Sequence, residues 1–317
     1  MDARRIGSLS VSAVGLGCNN FGWKIDEAAS REVVHAALDA GVTHFDTAEL
    51  YGGGQSEAFL GRLLGARRDG VVLATKFGYR GGSDPTGQAA PDAVRAACEG
   101  SLRRLQTDRI DLYYLHRPDP ATPIADTLGA LGRLVEEGKV REVACSGFSA
   151  GQIREAEAAG AGVRFVAVQN EYSLAHRRPE RRDAGPEGGG TLEAARESEL
   201  AFVPYFPLKS GLLTGKYRRG DAPPSGSRLS GEPGVFAGKR ALLTEANLDL
   251  VERLIAWAEA RGRTLLDLAF AYLLAHAPVA SVIAGATKPA QIRGNVAAAG
   301  RALSDDELRE VRALLDA

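Results

Sequence analysis

Cysteine and histidine are scarce in this sequence, and their spacing excludes the common disulfide and metal frameworks. The chain contains three cysteines (Cys18, Cys98 and Cys145) and five histidines. An odd number of widely separated cysteines provides neither a disulfide framework nor a Cys-x-x-Cys metal site. The histidines form no His-Glu-x-x-His pair and no other zinc spacing. We therefore expect no bound metal and, as the default location, the reducing cytoplasm.

An excess of charge of one sign and long apolar runs are also missing. The 317 residues include 39 Lys and Arg against 40 Asp and Glu, which gives a net charge of −1. This balance does not favour nucleic acid or an acidic membrane surface as the main partner, although a few local cations suffice for a small anionic ligand. No stretch approaches the roughly 18 apolar residues of a membrane helix, and the N-terminus has no signal-peptide core. Nothing in the composition indicates an oligomeric state.

Short apolar segments alternate with amphipathic helical segments along most of the chain. The apolar segments predict strands at 13–18, 43–47, 71–76, 110–115, 140–145, 165–169, 201–205 and 281–284. Helices are expected between them, and a capping box at Ser304 and Glu307 predicts a final helix. Short connections between strand and helix imply parallel strands joined by right-handed crossovers. Eight such strands predict an α/β fold of the (β/α)8 TIM-barrel type.

Glycine motifs for phosphate binding are absent, which weakens the competing doubly wound fold. Gly15-Leu16-Gly17 continues into Cys18-Asn19-Asn20 and lacks the third glycine of a dinucleotide fingerprint. The segment GLLTGK at 211–216 has too few residues between its glycines for a phosphate loop. Longer loops are predicted at 183–191 and 217–237. We expect a single barrel domain over residues 1–317, with its C-terminal mouth covered by a loop at about 207–245.

Polar residues of complementary chemistry stand at consecutive strand ends. In a parallel barrel the functional side chains lie at the C-terminal ends of the strands. Asp46 and Tyr51 follow the second strand, Lys76 the third and His116 the fourth. Each alone has an ordinary explanation, such as a capping aspartate or a solvated lysine. A buried aspartate and a buried lysine each need a partner, however, so the four together favour a functional site.

These four residue types suit proton transfer to a carbonyl oxygen. A tyrosine hydroxyl, with a pKa of about 10, is a poor proton donor unless a cation lowers that value. Lys76 can supply the cation, Asp46 can hold Lys76 in place, and His116 can orient a substrate oxygen. The set lacks a metal and a nucleophile with its base, so it favours addition of an external group such as hydride.

The sequence resembles the aldo-keto reductases nearly from end to end. The resemblance rests mainly on FDTAELYG at 45–52, ATKFG at 74–78 and DLYYLHRPDP at 111–120. It implies a barrel that binds NADP(H) without a Rossmann fold, with NAD(H) as the alternative cofactor. It also implies that the family's catalytic group falls on Asp46, Tyr51, Lys76 and His116, with Tyr51 as the general acid in reduction.

The resemblance assigns a second set of residues to the cofactor. That set comprises Ser146, Gln169, Tyr205, Gly285, Lys288, Gln291 and Asn295. Ser146 and Gln169 are expected at the nicotinamide carboxamide, and Tyr205 is expected to stack on the ring. Lys288, at a helix start that favours anions, is expected at the 2′-phosphate, with Gln291 and Asn295 at the adenine. Departures from the family pattern occur at Gly147, Phe206 and Gly294, which stand where Asn, a small polar residue and Glu are usual.

Aromatic residues near the mouth are candidates for the substrate pocket, namely Phe21, Trp23 and Phe206. The leading hypothesis is an NADP(H)-dependent oxidoreductase acting on small aldehydes, ketones or sugars. Two alternatives stay open. One is an NAD(P)-dependent aldose dehydrogenase that works oxidatively, and the other is a cofactor-sensing binding module with vestigial activity.

Overall fold

The computed structural model describes residues 3–79, 86–160, 162–181, 189–230 and 237–317. The chain begins with an antiparallel hairpin of β1 (Ala3–Ile6) and β2 (Leu9–Ser12), which the sequence pattern does not predict. Ile6, Leu9 and Val11 are buried against residues that line the inside of the barrel. The hairpin therefore closes the N-terminal end of the barrel. Strands of four residues are too short to show a clear apolar alternation.

Eight parallel strands form one sheet that closes into a barrel. They are β3 (Val14–Gly17), β4 (His44–Asp46), β5 (Val72–Phe77), β6 (Ile110–Leu115), β7 (Val140–Ser146), β8 (Ala167–Glu171), β9 (Ala201–Tyr205) and β10 (Val282–Gly285). Their order in the sheet is β10-β3-β4-β5-β6-β7-β8-β9. The Phe202 amide donates to the Pro278 carbonyl over 2.6 Å and the Ala280 amide donates to the Phe202 carbonyl over 3.0 Å, which joins the two edges. The predicted (β/α)8 barrel is confirmed.

Helices fill the intervals between the strands on the outside of the barrel. They are α1 (Glu27–Asp39), α2 (Gln55–Leu64), α3 (Pro91–Leu105), α4 (Ile124–Glu136), α5 (Ala150–Ala158), α6 (Thr191–Glu197), α7 (Glu245–Glu259), α8 (Leu265–Leu274), α9 (Pro289–Ala299) and α10 (Asp305–Asp316). The residues expected to cap the first turns of α1 and α10 do so in the structure. Asp26 accepts from the Ala29 amide at 2.9 Å, and Ser304 with Glu307 forms the capping box of α10.

The helix α7 is the main element that the sequence-based prediction missed. Val251, Leu254, Ile255 and Ala258 are buried on one face, and their spacing is the i, i+3, i+4, i+7 pattern of an amphipathic helix. The helix could therefore have been predicted from the sequence. Its start at Glu245 sets the end of the segment that follows β9.

The segment between β9 and α7 is not uniformly loop. It contains short 3-10 helices at Lys209–Thr214 and Ala237–Leu242. The predicted loops at 183–191 and 217–237 fall partly outside the described residues, at 183–188 and 231–236.

Buried apolar side chains form two layers around the strands. One lies between the strands and the helices and contains the three free cysteines, Cys18, Cys98 and Cys145. The other fills the inside of the barrel above the N-terminal hairpin. Within the described ranges, no three His, Cys, Asp or Glu side chains are close enough to hold a metal ion. No helix in those ranges is long and apolar enough to cross a membrane.

Candidate active site

Asp46 and Lys76 form a buried ion pair at the C-terminal ends of β4 and β5. The Nζ of Lys76 donates to Oδ1 of Asp46 and, over 2.9 Å, to the Thr47 carbonyl. Only 1% of the Lys76 side chain and 4% of the Asp46 side chain is exposed. Parallel pairing of β4 with β5 places the two strand ends side by side. Charges buried this deeply need a partner, and each provides it for the other.

Gln169 supplies the second hydrogen bond to Asp46 from the other side of the barrel. Its Nε2 donates to Oδ2 of Asp46 over 2.9 Å. Both carboxylate oxygens are therefore bonded, one to an ammonium and one to an amide. The sequence suggested Gln169 only as a cofactor residue, and its contact with Asp46 is a finding of the structure.

Tyr51 lies beside Lys76 in the turn that follows β4. The Nζ of Lys76 is 5.3 Å from the centroid of the Tyr51 ring. The 3-10 turn Tyr51–Gly54 leads into α2, and Gly52 within it has a φ of 60°. A Cβ at Gly52 would lie 2.6 Å from the carbonyl oxygen of Phe21. Both the positive φ and this close approach require glycine, so the glycine run sets the position of Tyr51.

His116 follows β6 and completes the group. Its ring centroid is 6.0 Å from that of Tyr51, with an angle of 85° between the ring planes. Its Nδ1 is buried and has no hydrogen-bond partner among the described residues. Unpaired buried nitrogens are rare in folded proteins and are commonly satisfied by a ligand or by water. The four residues singled out at the strand ends thus lie together in the structure.

Burial and neighbouring charges set the protonation of the group. Burial alone would lower the pKa of Lys76, but the nearby Asp46 carboxylate and Tyr51 outweigh it, and the pKa is raised. Burial raises the pKa of Tyr51, and the charge of Lys76 offsets this only in part. The pKa of His116 is well below its usual value because of burial and then the charges of Lys76 and Arg117. Near neutral pH the site holds a charged lysine, a protonated tyrosine and a neutral imidazole.

Lys76 therefore lowers the pKa of Tyr51 as expected, but burial raises that pKa by more. The sequence argument required a cation that lowers the pKa of the tyrosine, and Lys76 acts in that direction. Desolvation of the phenolate is the larger effect, because the strand ends surround this half-buried side chain.

Ser146 ends β7 next to Gln169, and Gly147 follows the strand. The Ser146 hydroxyl donates to the Gln169 carbonyl over 2.9 Å, and the Gly147 amide donates to Oδ1 of Asn170 over 2.9 Å. Gly147 has a φ of 71°, a conformation that glycine and, less readily, asparagine adopt. The replacement of the usual Asn by Gly147 keeps this turn and removes one amide side chain from it.

The aromatic candidates separate into exposed and buried ones. Tyr205 ends β9 and contacts Phe206 edge to face, with ring centroids 5.3 Å apart. Phe206 is 39% exposed and Trp23 is 41% exposed. Phe21 is fully buried in the core and presents no surface to a substrate, so we no longer assign it to the pocket. A cavity of about 680 Å³ opens between Tyr205 and Gly147.

The remaining predicted cofactor residues lie where β10 leads into α9. Gly285 ends β10 and Lys288 directly precedes α9, and both are exposed. The Oε1 of Gln291 accepts from the Thr287 amide over 2.7 Å and from the Lys288 amide over 3.2 Å, so its side chain is used within this turn. Asn295 is 3% exposed, and its Nδ2 has no hydrogen-bond partner in the described part of the chain.

A group of cations that the motifs did not single out lies beside Gly285. Arg228 donates to Oδ1 of Asn20 over 2.6 Å, and a Cβ at Gly285 would be 3.0 Å from Nδ2 of Asn20. The pKa of Lys24 is lowered by burial and then by the charges of Arg228 and Lys216. Folding thus brings Lys216 of the GLLTGK segment near enough to Lys24 for its charge to act there.

The model of the aldo/keto reductase family matches residues 13–316. The chain belongs to this family. An aldo-keto reductase from Schizosaccharomyces pombe, named for NADP(+), is 36% identical over 99% of this chain and 91% of its own length. The aldo-keto reductase str7 of Strobilurus tenacellus is 36% identical over 100% of this chain and 92% of its own length.

A solved structure extends the comparison to the fold. The glycerol dehydrogenase AKR11B4 from Gluconobacter oxydans is 30% identical, with a TM-score of 0.82 over 99% of this chain and 95% of that chain. Together with the family match, this confirms the resemblance, the barrel and the oxidoreductase class that the sequence predicted. This aldo/keto reductase is therefore an oxidoreductase of carbonyl compounds.

Proposed function

We propose that this aldo/keto reductase uses NADP(H) to transfer hydride between the nicotinamide and the carbonyl or alcohol carbon of an aldehyde, ketone or sugar. Tyr51 is the general acid in reduction and the general base in oxidation. One observation carries the proposal, namely the meeting of Tyr51 with the Asp46–Lys76 pair and His116 at the C-terminal end of the barrel.

The residues around β10 and α9 fit a dinucleotide that carries a 2′-phosphate. The unpaired buried Nδ2 of Asn295 suits an acceptor nitrogen of the adenine. Lys288 directly precedes α9 and Arg293 lies in its first turns; both are exposed, and the helix dipole there also favours an anion. The cations around Arg228 add positive charge for the diphosphate. The name of the relative from Schizosaccharomyces pombe supports NADP, and NAD(H) is the alternative that lacks the phosphate.

The nicotinamide end fits the residues at the ends of β7, β8 and β9. Tyr205 offers an aromatic face beside the cavity, and Ser146 and Gln169 offer polar atoms for a carboxamide. The bound cofactor supplies a hydride to the carbonyl carbon or accepts one from the alcohol carbon.

Proton transfer follows from the protonation of the four residues. Tyr51 holds its proton near neutral pH and gives it to the oxygen as negative charge develops there. The ammonium of Lys76 stabilises the tyrosinate that remains, and Asp46 keeps Lys76 charged and in position. The neutral ring of His116 orients the oxygen toward Tyr51 by a hydrogen bond.

We also propose that residues 1–317 form a single domain and that the segment at about 207–245 covers the mouth. The 2.6 Å hydrogen bond from Arg228 to Asn20 supports this, because Asn20 follows the C-terminal end of β3. Trp23 and Phe206 stay assigned to the substrate pocket on account of their exposure near the mouth.

Fluorescence titration with NADPH and NADH, followed by a panel of aldehydes, ketones and sugars, tests this function. We expect NADPH to bind at least about tenfold more tightly than NADH, since charge-assisted contacts to a phosphate are strong. Lys288→Met should remove most of that difference. Lys139→Met is the matched control, because Lys139 lies at the other end of the barrel and pairs with Glu137 at 2.9 Å. Tight NADPH binding without turnover of any compound would contradict the proposal and favour a binding module.

Oxidation of a sugar or polyol is the second candidate. The similarity to a glycerol dehydrogenase, at 30% identity and a TM-score of 0.82, favours it. Initial rates in both directions, with NADP+ and glycerol or aldoses against NADPH and the corresponding carbonyls, distinguish the two.

A further inference from the structure

Arg117 is a cation beside the candidate site that pairs with no carboxylate among the described residues. It follows His116 directly after β6 and is exposed. Its guanidinium makes no ion pair or side-chain hydrogen bond with any residue that the structure describes. Instead, its Cζ lies 4.0 Å from the centroid of the Tyr79 ring. At this distance a guanidinium is attracted to the face of the ring.

The Tyr79 ring connects Arg117 to the group that transfers the proton. Tyr79 contacts His116 edge to face, with ring centroids 5.6 Å apart and an angle of 80° between planes. His116 in turn contacts Tyr51. Arg117 and His116 therefore contact the same ring, and His116 in turn contacts the proposed proton donor.

The charge of Arg117 acts on residues at both sides of the mouth. It contributes to lowering the pKa of His116, after burial and Lys76. At Tyr205, burial and then Glu171 raise the pKa to about 12, and Arg117 acts against them. Arg117 thus lies close enough to His116 and Tyr205 to affect both, and the next residue, Pro118, lines the cavity together with Tyr205.

A guanidinium in contact with a ring face keeps N–H donors that a ligand can use. Those donors lie in the plane of the guanidinium and can bind a carboxylate in a bidentate way. Other arginines of the chain use these groups within the protein, as Arg68 does with Asp111 at 2.6 Å and Arg104 with Glu57 at 2.6 Å. Among the residues that the structure describes, none uses the same groups of Arg117, and its guanidinium lies against the Tyr79 ring.

We propose that Arg117, held on Tyr79, binds a carboxylate of the substrate, so that the preferred substrates are oxo acids or the matching hydroxy acids. The inference rests on the proposed function and narrows its substrate class. The hydride goes to the carbonyl carbon and the proton of Tyr51 to the oxygen, which yields a hydroxy acid and NADP+. The carboxylate itself is unchanged and serves as the anchor.

Paired acids and methyl esters test the inference with NADPH as the reductant. Three pairs vary the distance between the groups, namely glyoxylate, succinic semialdehyde and 4-carboxybenzaldehyde, each with its methyl ester. The ratio of kcat/KM for acid over ester should exceed about tenfold for at least one pair in the unmodified enzyme. Arg117→Gln should bring that ratio close to one, mainly through KM for the acid. The ester is the internal reference within each variant.

Two comparisons separate anchoring from general damage. Tyr79→Phe keeps the ring face and should keep the ratio, whereas Tyr79→Leu should lower it. Arg133→Gln is the matched control, because Arg133 is an exposed arginine on α4. Turnover of the esters with no preference for any acid, or an unchanged ratio in Arg117→Gln, would overturn this inference alone. No turnover of any acid or ester would overturn the proposed function together with it.

Discussion

Gln169 on β8 and Asp46 on β4 are joined across the barrel by a hydrogen bond of 2.9 Å between Nε2 and Oδ2. The bond links a residue expected at the nicotinamide to the ion pair that holds Lys76. Under the proposed function, the position of the cofactor and that of Lys76 are coupled through the Gln169 side chain.

Gln169→Leu removes that donor at nearly constant volume. Oδ2 of Asp46 then loses its partner in a buried place, which costs about 1–3 kcal/mol of unfolding free energy. We expect a lower denaturation midpoint, a lower kcat and weaker NADPH binding in the same variant. Denaturant unfolding and fluorescence titration check these effects. Wild-type values for both stability and NADPH affinity would show that the bond has no role.

Tyr51→Phe removes the proposed proton donor and keeps the ring. We expect reductive turnover to fall by about 100-fold or more, since general acid catalysis contributes roughly that much. NADPH affinity should stay near normal, because the cofactor residues are untouched. Single-turnover kinetics of NADPH oxidation measure the hydride step directly. A variant with wild-type turnover would exclude Tyr51 as the proton donor.

The pH dependence of reduction follows from the direction of two pKa shifts. The pKa of Tyr51 is raised from its usual 10.0, so the protonated acid is present throughout the neutral range. The pKa of His116 is lowered, so this ring stays neutral there as well. Reductive kcat should therefore be flat from about pH 6.5 to 9 and fall only as the tyrosine ionises at higher pH. A profile with a midpoint near pH 7 would contradict these assignments.

Gly147 can be tested with two substitutions of different conformational preference. Its φ of 71° strains any residue with a Cβ, but the nearest non-neighbouring atom to that Cβ, the His116 carbonyl oxygen, would be 3.9 Å away. Gly147→Ala should therefore cost about 1–2 kcal/mol of unfolding free energy from the backbone alone. Gly147→Asn should cost less, because asparagine tolerates this region of φ. It should also tighten NADPH binding, because it restores the amide side chain that is usual in the family at this position. Equal losses in the two variants would argue against the conformational explanation.

Local pattern determined most of the barrel and the residues at its strand ends. The eight apolar segments, their short connections and the helix start signals are local features, and they placed Asp46, Lys76 and His116 at neighbouring strand ends. Strand order followed from the crossover rules, so neighbouring ends had to be close. The same local reasoning failed at the hairpin β1–β2, which is too short for a pattern. It could have found α7, whose spacing is regular.

Only the tertiary structure decided which side chains meet across the mouth. Gln169 reaches Asp46 over 123 positions, and Arg228 reaches Asn20 over 208. These contacts depend on closure of the barrel, which brings distant strand ends together, and no local pattern carries that information. Burial also decided the direction of the Tyr51 pKa shift. The cost of desolvating the phenolate depends on tertiary packing, and it outweighs the opposite effect of the Lys76 charge. The stack of Arg117 on Tyr79 is of the same kind, since it requires the ends of β5 and β6 to lie side by side.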